Sequence, residues 1–213
     1  MKNIIEQIQN EVKEIFSTAK GSHDFDHTER VYCLAVHIAK KEKADLLIVQ
    51  LATLLHDIAR QEQDESGGKI CHAEKGAERA KEILKKYDLT PAQIDHIASC
   101  IATHRFRKNL PPTTLEAKIL YDADKLDAIG AIGIGRAFVF SGEVGARVHA
   151  TDLVIDETNL YTKSDTAYHE FEIKLKRIRD KILTAEGKRI AEHRHKFMVE
   201  FFDELKDEAI GNK

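Results

Sequence analysis

Five histidine and aspartate side chains fall where the sequence pattern points into an apolar core. His27 lies on the inward face of one predicted helix, and the adjacent pair His56-Asp57 ends the most apolar helix. His104 continues an isoleucine stripe, and Asp124 follows a leucine by one helical turn. A single buried histidine is more often a hydrogen-bonded core residue, and a single inward aspartate is often a cap or a salt-bridge partner. Five such groups favour a metal centre instead, because one divalent cation satisfies several ligands that are costly to bury alone.

The adjacent pair His56-Asp57 narrows the kind of metal. Neighbouring residues of a helix project about 100° apart, so both side chains can reach one ion placed near the bisector. Mixed imidazole and carboxylate ligands suit Mn, Fe, Zn, Ni or Co better than Ca or Mg alone, although Mg remains an alternative. No cysteine joins the set, so a thiolate site is disfavoured.

A nicotinamide or flavin cofactor is not expected. Gly130, Gly133 and Gly135 are spaced in the wrong order for a dinucleotide-binding loop, and no strand is predicted before them. Small residues that allow close helix packing are the better interpretation of these glycines.

Apolar residues recur at helical spacing along nearly the whole chain, which predicts an all-α fold. A polar loop is expected at 61–68, and the irregular stretch 141–165 has the length of a functional lid or a disordered loop. The capping sequence Thr90-Pro91-Ala92-Gln93 predicts a helix start. Helices are predicted at 4–15, from about 27 to 38, at 45–59, 73–84, 91–101 and 115–129, and at 166–205 with a break near Gly187.

Composition limits the partners that the chain can have. Its 213 residues carry 33 basic and 36 acidic side chains, a net charge of −3, so specific nucleic-acid binding is not expected. The N-terminal segment lacks the apolar centre of a signal peptide, and no run is long enough to span a membrane. The three cysteines are widely spaced, which favours a reducing compartment. We therefore expect a cytoplasmic protein without a membrane partner that could form a homodimer.

The motifs around these residues resemble those of the HD superfamily of metal-dependent phosphohydrolases, whose pattern is H…HD…D. The matching segments are His-Asp-Phe-Asp-His (23–27), Leu-Leu-His-Asp-Ile (54–58) and Tyr-Asp-Ala-Asp-Lys-Leu-Asp (121–127). The resemblance implies one compact multi-helix HD domain over residues 1–213, with a core at about 20–205. It also implies that the metal ligands are His27, His56, Asp57 and Asp124, while His23-Asp24 shapes the loop before His27.

A bacterial branch of this family is the best match within it. Residues 124–136 and parts of the tail (171–175, 186–188 and 197–198) resemble a branch that includes pyrophosphohydrolases of nucleoside triphosphates. Some relatives bind two metals through two additional histidines, and His72 and His104 are in suitable positions for a second metal or an acid/base role. Many members carry an acidic residue shortly after the HD pair. Only Glu62 or Asp64 could serve here, so the catalytic base is unassigned.

The resulting functional prediction is hydrolysis of a small phosphorylated substrate, a nucleotide in the first instance. Lys125, Arg105 and Arg107 are the candidates for neutralising phosphate charge, which a protein of net charge −3 must do locally. The alternatives are a nucleotide phosphomonoesterase or phosphodiesterase, a di-iron oxygenase that uses His72 and His104 as ligands, and a non-catalytic sensor of nucleotide or metal.

Overall fold

The computed structural model describes residues 4–17, 25–105, 110–149 and 166–212. Every regular element within these ranges is helical, which confirms the all-α fold. Two short 3₁₀ turns, Leu175–Arg177 and Arg179–Lys181, join the last two helices. In chain order, the helices are α1 (Ile4–Phe16), α2 (Phe25–Glu42), α3 (Leu46–Leu55), α4 (Arg60–Glu65), α5 (His72–Leu84), α6 (Pro91–Thr103), α7 (Leu115–Asp127), α8 (Gly130–Glu143), α9 (Ala167–Ile173) and α10 (Ala185–Ala209).

The chain divides into two compact units, residues 1–124 and 125–213, with the boundary inside α7. In the first unit, α3 packs against α1, α2 and α6, and α5 packs against α6. Seven of the ten residues of α3 are buried, as expected for the most apolar helix. Because each buried aliphatic side chain contributes about 1.5–3 kcal/mol, α3 anchors the core of this unit.

Helix starts in the first unit follow their capping residues. The Asp45 carboxylate accepts hydrogen bonds from the backbone N–H of Leu47 and Ile48, at 2.9 and 3.3 Å, and so caps α3. The capping box predicted at Thr90 is present: its hydroxyl accepts from Gln93 N–H, and the Gln93 side chain accepts from Thr90 N–H at 2.9 Å.

The end of α3 differs from the prediction. The helix stops at Leu55, and residues 56–59 form a turn rather than its last turn. The N–H groups of His56 and Arg60 donate to carbonyls three residues earlier, which tightens the chain beyond α-helical geometry. Arg79 of α5 donates to the Ile58 carbonyl at 2.8 Å and so satisfies a backbone group of this turn.

Two further boundaries were predicted wrongly. The segment 61–68 contains the short helix α4, whereas a polar loop was expected. The break between the last helices lies at 174–184, because the Thr184 hydroxyl accepts from the N–H of Gly187 and thereby starts α10. Gly187 is therefore inside a helix and not at its break.

The predicted lid falls only in part within the described residues. Helix α8 extends to Glu143, so the segment 141–165 begins as helix, and 150–165 lie outside the described residues. The single-domain assignment for residues 1–213 stays a prediction. None of the described helices combines the length and the apolar character needed to cross a membrane.

Candidate metal centre

Six histidine and aspartate residues of the first unit meet at the ends of its helices. Four are histidines, and each of them exposes at most 2% of its surface to solvent. Their places in the fold are His27 near the start of α2, His56 and Asp57 in the turn after α3, His72 at the first position of α5, His104 just after α6, and Asp124 near the end of α7.

Three of these residues form a first cluster, which consists of His27, His56 and Asp124. One ligand atom from each lies within 4.8 Å of the others. His27 Nε2 is 3.5 Å from Asp124 Oδ1, and the rings of His27 and His56 have centroids 5.5 Å apart. This set offers two imidazole nitrogens and one carboxylate oxygen to one point.

The second cluster consists of Asp57, His72 and His104, all buried. His72 Nε2 lies 3.1 Å from Asp57 Oδ1 and 3.2 Å from His104 Nε2. His104 Nε2 is 3.6 Å from the same carboxylate oxygen. Three possible ligand atoms therefore converge here as well.

The Asp57 carboxylate faces both clusters. Its Oδ2 lies 4.0 Å from His27 Nε2 and 3.8 Å from His56 Nε2. Its Oδ1 faces His72 and His104. One carboxylate thus contacts all four histidines, which is the arrangement of a ligand that could bridge two ions.

Backbone carbonyls orient two of the histidine rings. His56 Nδ1 lies 2.7 Å from the Thr53 carbonyl oxygen, and His104 Nδ1 lies 2.6 Å from that of Ile101. A carbonyl only accepts, so both rings carry their proton on Nδ1. When either ring is neutral, its Nε2 atom is therefore a lone pair directed at the site.

Burial and charge favour the protonation states of His56, His72 and Asp57 that bind a metal. Burial lowers the pKa of His56 to about 4, against the opposing effect of Asp57. Burial also lowers the pKa of His72. Burial disfavours the charged form of Asp57, but the surrounding histidines, His56 first among them, hold the pKa of Asp57 well below its ordinary value. Neutral imidazoles and an ionised carboxylate are the forms that bind divalent ions.

The donor set fits a divalent transition metal. The buried Nε2 of His56 has no hydrogen-bond partner among the described residues, although a buried polar atom is costly without one. In the second cluster, two imidazole nitrogens and a carboxylate oxygen face one another at 3.1–3.6 Å, close enough for all three to bind one cation. Imidazole and carboxylate together are typical ligands of Mn, Fe, Co, Ni and Zn.

Known proteins share this fold and this part of the sequence. The family model of the HD domain matches residues 24–129, a range that includes all six residues of the two clusters. YpgQ of Bacillus subtilis (strain 168) is 33% identical over 210 residues, covering 97% of this chain and 94% of that protein. The chain belongs to the HD-domain superfamily.

Solved structures agree with this assignment for the HD-domain chain. YpgQ of Bacillus subtilis in complex with ADP has a TM-score of 0.73 at 30% identity and covers 96% of this chain and 94% of its own. An HD-superfamily hydrolase from Bacillus thuringiensis has a TM-score of 0.76 at 28% identity, with 96% and 95% covered. One from an uncultured Thermotogales bacterium has a TM-score of 0.70 at 32% identity, with 95% and 91% covered. The chain is a metal-dependent hydrolase of this superfamily.

The structure of this HD hydrolase brings together the four residues predicted as ligands, His27, His56, Asp57 and Asp124. It also adds His72 and His104, which the sequence offered as a second metal site or an acid/base pair. His56 and Asp57 lie in a turn and not on a helix; Asp57 Oδ1 belongs to the second cluster, while its Oδ2 faces His56 and His27.

The residues predicted to contact phosphate have different surroundings. Arg105 lies beside the second cluster, where its Nη1 is 3.4 Å from His72 Nδ1. Lys125 follows Asp124 on α7, is half-buried, and is the first residue of the second unit. Arg107 and the His23-Asp24 pair lie outside the described residues.

Neither acidic candidate for the catalytic base belongs to the two clusters of the HD hydrolase. The Glu62 carboxylate pairs with Arg79 Nη1 at 2.6 Å. The Asp64 carboxylate is mostly exposed and lies 3.5 Å from Arg60 Nε. The geometry thus gives both side chains partners outside the clusters.

Two residues beside the site were not singled out as functional from the sequence. Gln63 of α4 accepts hydrogen bonds at the outer edge of His72, and Arg60 Nη1 lies 3.5 Å from His72 Nδ1. The only sequence signal was their proximity to the HD pair. Arginine and glutamine are ordinary surface residues of a polar segment, so their types gave no indication.

Proposed function

We propose that the chain is a phosphohydrolase that cleaves nucleoside triphosphates to the monophosphate and pyrophosphate. The observation that carries the proposal is the shared carboxylate of Asp57, which faces two buried groups of ligands in one site. A bound divalent metal supplies positive charge to phosphoryl oxygens and lowers the pKa of bound water. We propose His27, His56, Asp57 and Asp124 as its ligands, with His72 and His104 completing a second position.

Side chains of the chain itself bind the metal and neutralise the charge of the substrate. Burial keeps the His56 ring neutral, so its Nε2 lone pair is available, and Asp57 holds negative charge where cations are needed. Arg105 and Arg60 place guanidinium groups beside His72, and we propose that they neutralise phosphate oxygens. Lys125 remains a candidate for the same role.

A relative supports the nucleotide as substrate class. YpgQ, which is 33% identical and aligns over nearly its full length, was solved in complex with ADP. ADP combines a base, a ribose and a diphosphate. Because this chain shares the fold of YpgQ, we propose a nucleotide with adjacent phosphates rather than a simple phosphate ester.

The test is a matrix of metals and substrates on metal-depleted protein. The protein is loaded separately with Mn, Co, Ni, Fe, Zn or Mg and incubated with nucleoside triphosphates, nucleoside monophosphates and a dinucleotide. Pyrophosphate and phosphate are measured separately. We expect pyrophosphate and monophosphate from triphosphates, with a transition metal more effective than Mg.

A matched pair of variants tests whether the measured hydrolysis depends on the Asp57 carboxylate. Asp57→Asn removes the shared carboxylate, whereas Asp95→Asn removes an exposed carboxylate on α6 that pairs with Lys81. We expect activity to disappear in the first variant and to persist in the second. Absence of hydrolysis with every metal, in protein whose circular dichroism shows an intact helical fold, would rule out the proposal. Phosphate released from monophosphates alone would assign a phosphomonoesterase instead.

The second cluster also supports one alternative function, a di-iron oxygenase, which can be tested. Two groups of ligands that share a carboxylate are also the architecture of a di-iron oxygenase. Metal analysis of protein purified without chelators distinguishes the two functions. Two irons per chain together with substrate-dependent oxygen consumption would favour the oxygenase, and pyrophosphate release without oxygen consumption would exclude it.

A further inference from the structure

The histidines of the site differ in what accepts the proton on Nδ1. His56 and His104 each follow the last residue of a helix, and each donates to a carbonyl three residues earlier. Carbonyls near a helix C-terminus lack intrahelical partners and are available as acceptors. A histidine in that position therefore finds its acceptor in its own backbone.

His72 occupies the opposite end of a helix. It is the first residue of α5, where the free backbone groups are N–H donors and not carbonyls. Its own helix consequently offers no acceptor for Nδ1–H. The acceptor has to come from another element.

Gln63 of α4 supplies that acceptor. Its Oε1 lies 2.9 Å from His72 Nδ1. The same oxygen is 2.7 Å from Arg105 Nη1 and 3.4 Å from the backbone nitrogen of His72. Both of these groups can only donate, so the amide oxygen and not its NH₂ must face them. Gln63 Oε1 is therefore an acceptor placed for a proton on His72 Nδ1, and in that tautomer Nε2 is a lone pair.

Two arginines beside the ring would favour the other tautomer. Arg60 Nη1 and Arg105 Nη1 lie 3.5 and 3.4 Å from His72 Nδ1, and a guanidinium cannot accept a hydrogen bond. If Nδ1 accepted from either of them, the proton would be on Nε2. It would then point at Asp57 Oδ1, only 3.1 Å away, and occupy the space where a metal ion would bind.

We propose that Gln63 is a positioning residue that selects the His72 tautomer with a free Nε2, and so holds the second cluster ready for a metal. The inference rests on the proposed function of the site as a metal centre. Gln63 Oε1 lies 2.9 Å from Nδ1, closer than either guanidinium group, and also closer than Asp57 Oδ1 lies to Nε2, at 3.1 Å. Without the Gln63 acceptor, His72 Nδ1 would accept a hydrogen bond from one of the two arginines, and the ring proton would be on Nε2.

The direct test is the tautomer of His72 in metal-free protein. Long-range ¹H–¹⁵N spectra of the imidazole rings, recorded at mildly alkaline pH, distinguish a protonated Nδ1 from a protonated Nε2. We expect the Nδ1–H form in the wild type and in Gln63→Glu, which keeps an acceptor. In Gln63→Leu, which has none, we expect the Nε2–H form. An Nδ1–H form in Gln63→Leu, or an Nε2–H form in the wild type, would overturn the proposal.

Metal binding gives the second readout. Stepwise titration of the metal-free protein with Co²⁺ or Mn²⁺ separates the two positions by affinity. We expect Gln63→Leu to weaken one position by about 10–100-fold and to leave the other unchanged, and Gln63→Glu to restore it. Equal affinities in Gln63→Leu and the wild type would contradict the proposal.

Two comparisons keep the test interpretable. Gln61→Leu is the matched control, since Gln61 is an exposed glutamine of the same helix that pairs with Glu65. It should leave both readouts unchanged. If Gln63→Leu does not fold, Gln63→Met provides the same loss of a strong acceptor in a side chain of similar size. Because the tautomer is measured without metal or substrate, it stands even if the chain proves not to hydrolyse nucleotides.

Discussion

The charge of the site is concentrated on one residue, Asp57. Its two oxygens face different pairs of histidines at 3.1–4.0 Å, and its pKa lies well below the ordinary value. Each of the other five residues belongs to a single cluster. The loss of Asp57 should therefore have a wider effect than the loss of any one histidine.

Asp57→Asn is expected to abolish metal binding at both positions and to lower hydrolysis to below about 1% of the wild-type rate. The neutral amide keeps the shape but not the charge that balances a cation. His27→Gln and His104→Gln should each remove one equivalent of metal. The measurement is metal content per folded chain after dialysis. An Asp57→Asn protein that keeps a full equivalent would show that the carboxylate is not shared.

At the residue scale, the sequence predicted the site residues whose burial follows from helical periodicity. His27 and His104 could be located because an apolar stripe marks the buried face of a helix. Gln63 could not, because its role depends on a bond to His72, nine positions away on another helix. The position of the Asp57 carboxylate between the two clusters was equally hidden, since Asp57 lies in the turn that replaces the last turn of α3.

At the scale of elements, α8 shows how glycines serve packing within the second unit. A Cβ added to Gly133 would collide with the carbonyl oxygen of Ala128. Gly130 has a φ of +81°, and a Cβ there would meet the Arg194 side chain at 3.0 Å. By contrast, no described atom lies within 4 Å of a Cβ at Gly135. The helix therefore needs some of its glycines and not others.

Gly133→Ala and Gly135→Ala should consequently change stability in opposite directions. We expect the first to lower the free energy of unfolding by about 1–3 kcal/mol, because backbone has to move to accept the methyl group. The second should raise it by about 0.5–1 kcal/mol, because alanine loses less backbone entropy in a helix. Denaturant unfolding of both variants tests this. A gain in stability from Gly133→Ala would contradict the close approach of Ala128.

Helix boundaries were predicted correctly where the signal lies in neighbouring residues, and wrongly where a contact distant in sequence determines the boundary. The start of α6 followed from Thr90 and its capping box, which is complete within four residues. The end of α3 did not, because Arg79, a residue of α5, satisfies a carbonyl of the turn. The start of α10 was misplaced because glycine is a poor helix residue by propensity, whereas the Thr184 cap determines the outcome.

At the scale of the whole molecule, the buried histidines link the stability of the chain to pH. Burial holds the pKa of His56 at about 4, compared with an ordinary value of 6.5. Between these values the unfolded chain binds a proton that the folded chain does not, so stability falls as pH falls. His72, whose pKa is also lowered by burial, contributes in the same direction.

Metal-free protein is expected to lose about 3 kcal/mol of unfolding free energy through His56 alone as the pH falls from 6.5 to 4. Urea unfolding at a series of pH values measures this loss. His56→Gln removes the titrating group and should show a correspondingly shallower decline over the same range. Identical pH profiles for the two proteins would mean that His56 is not buried in the neutral form.

The helix-end position of His56 and His104 also bears on how the site can vary over generations. A backbone carbonyl is present whatever side chain the residue carries, so substitutions at Thr53 or Ile101 leave the acceptor in place. His72 instead depends on a side chain that a single nucleotide change can replace. Among these three rings, genetic drift can therefore remove the proton acceptor directly only at His72, and the second cluster is the half of the site that lineages can lose first.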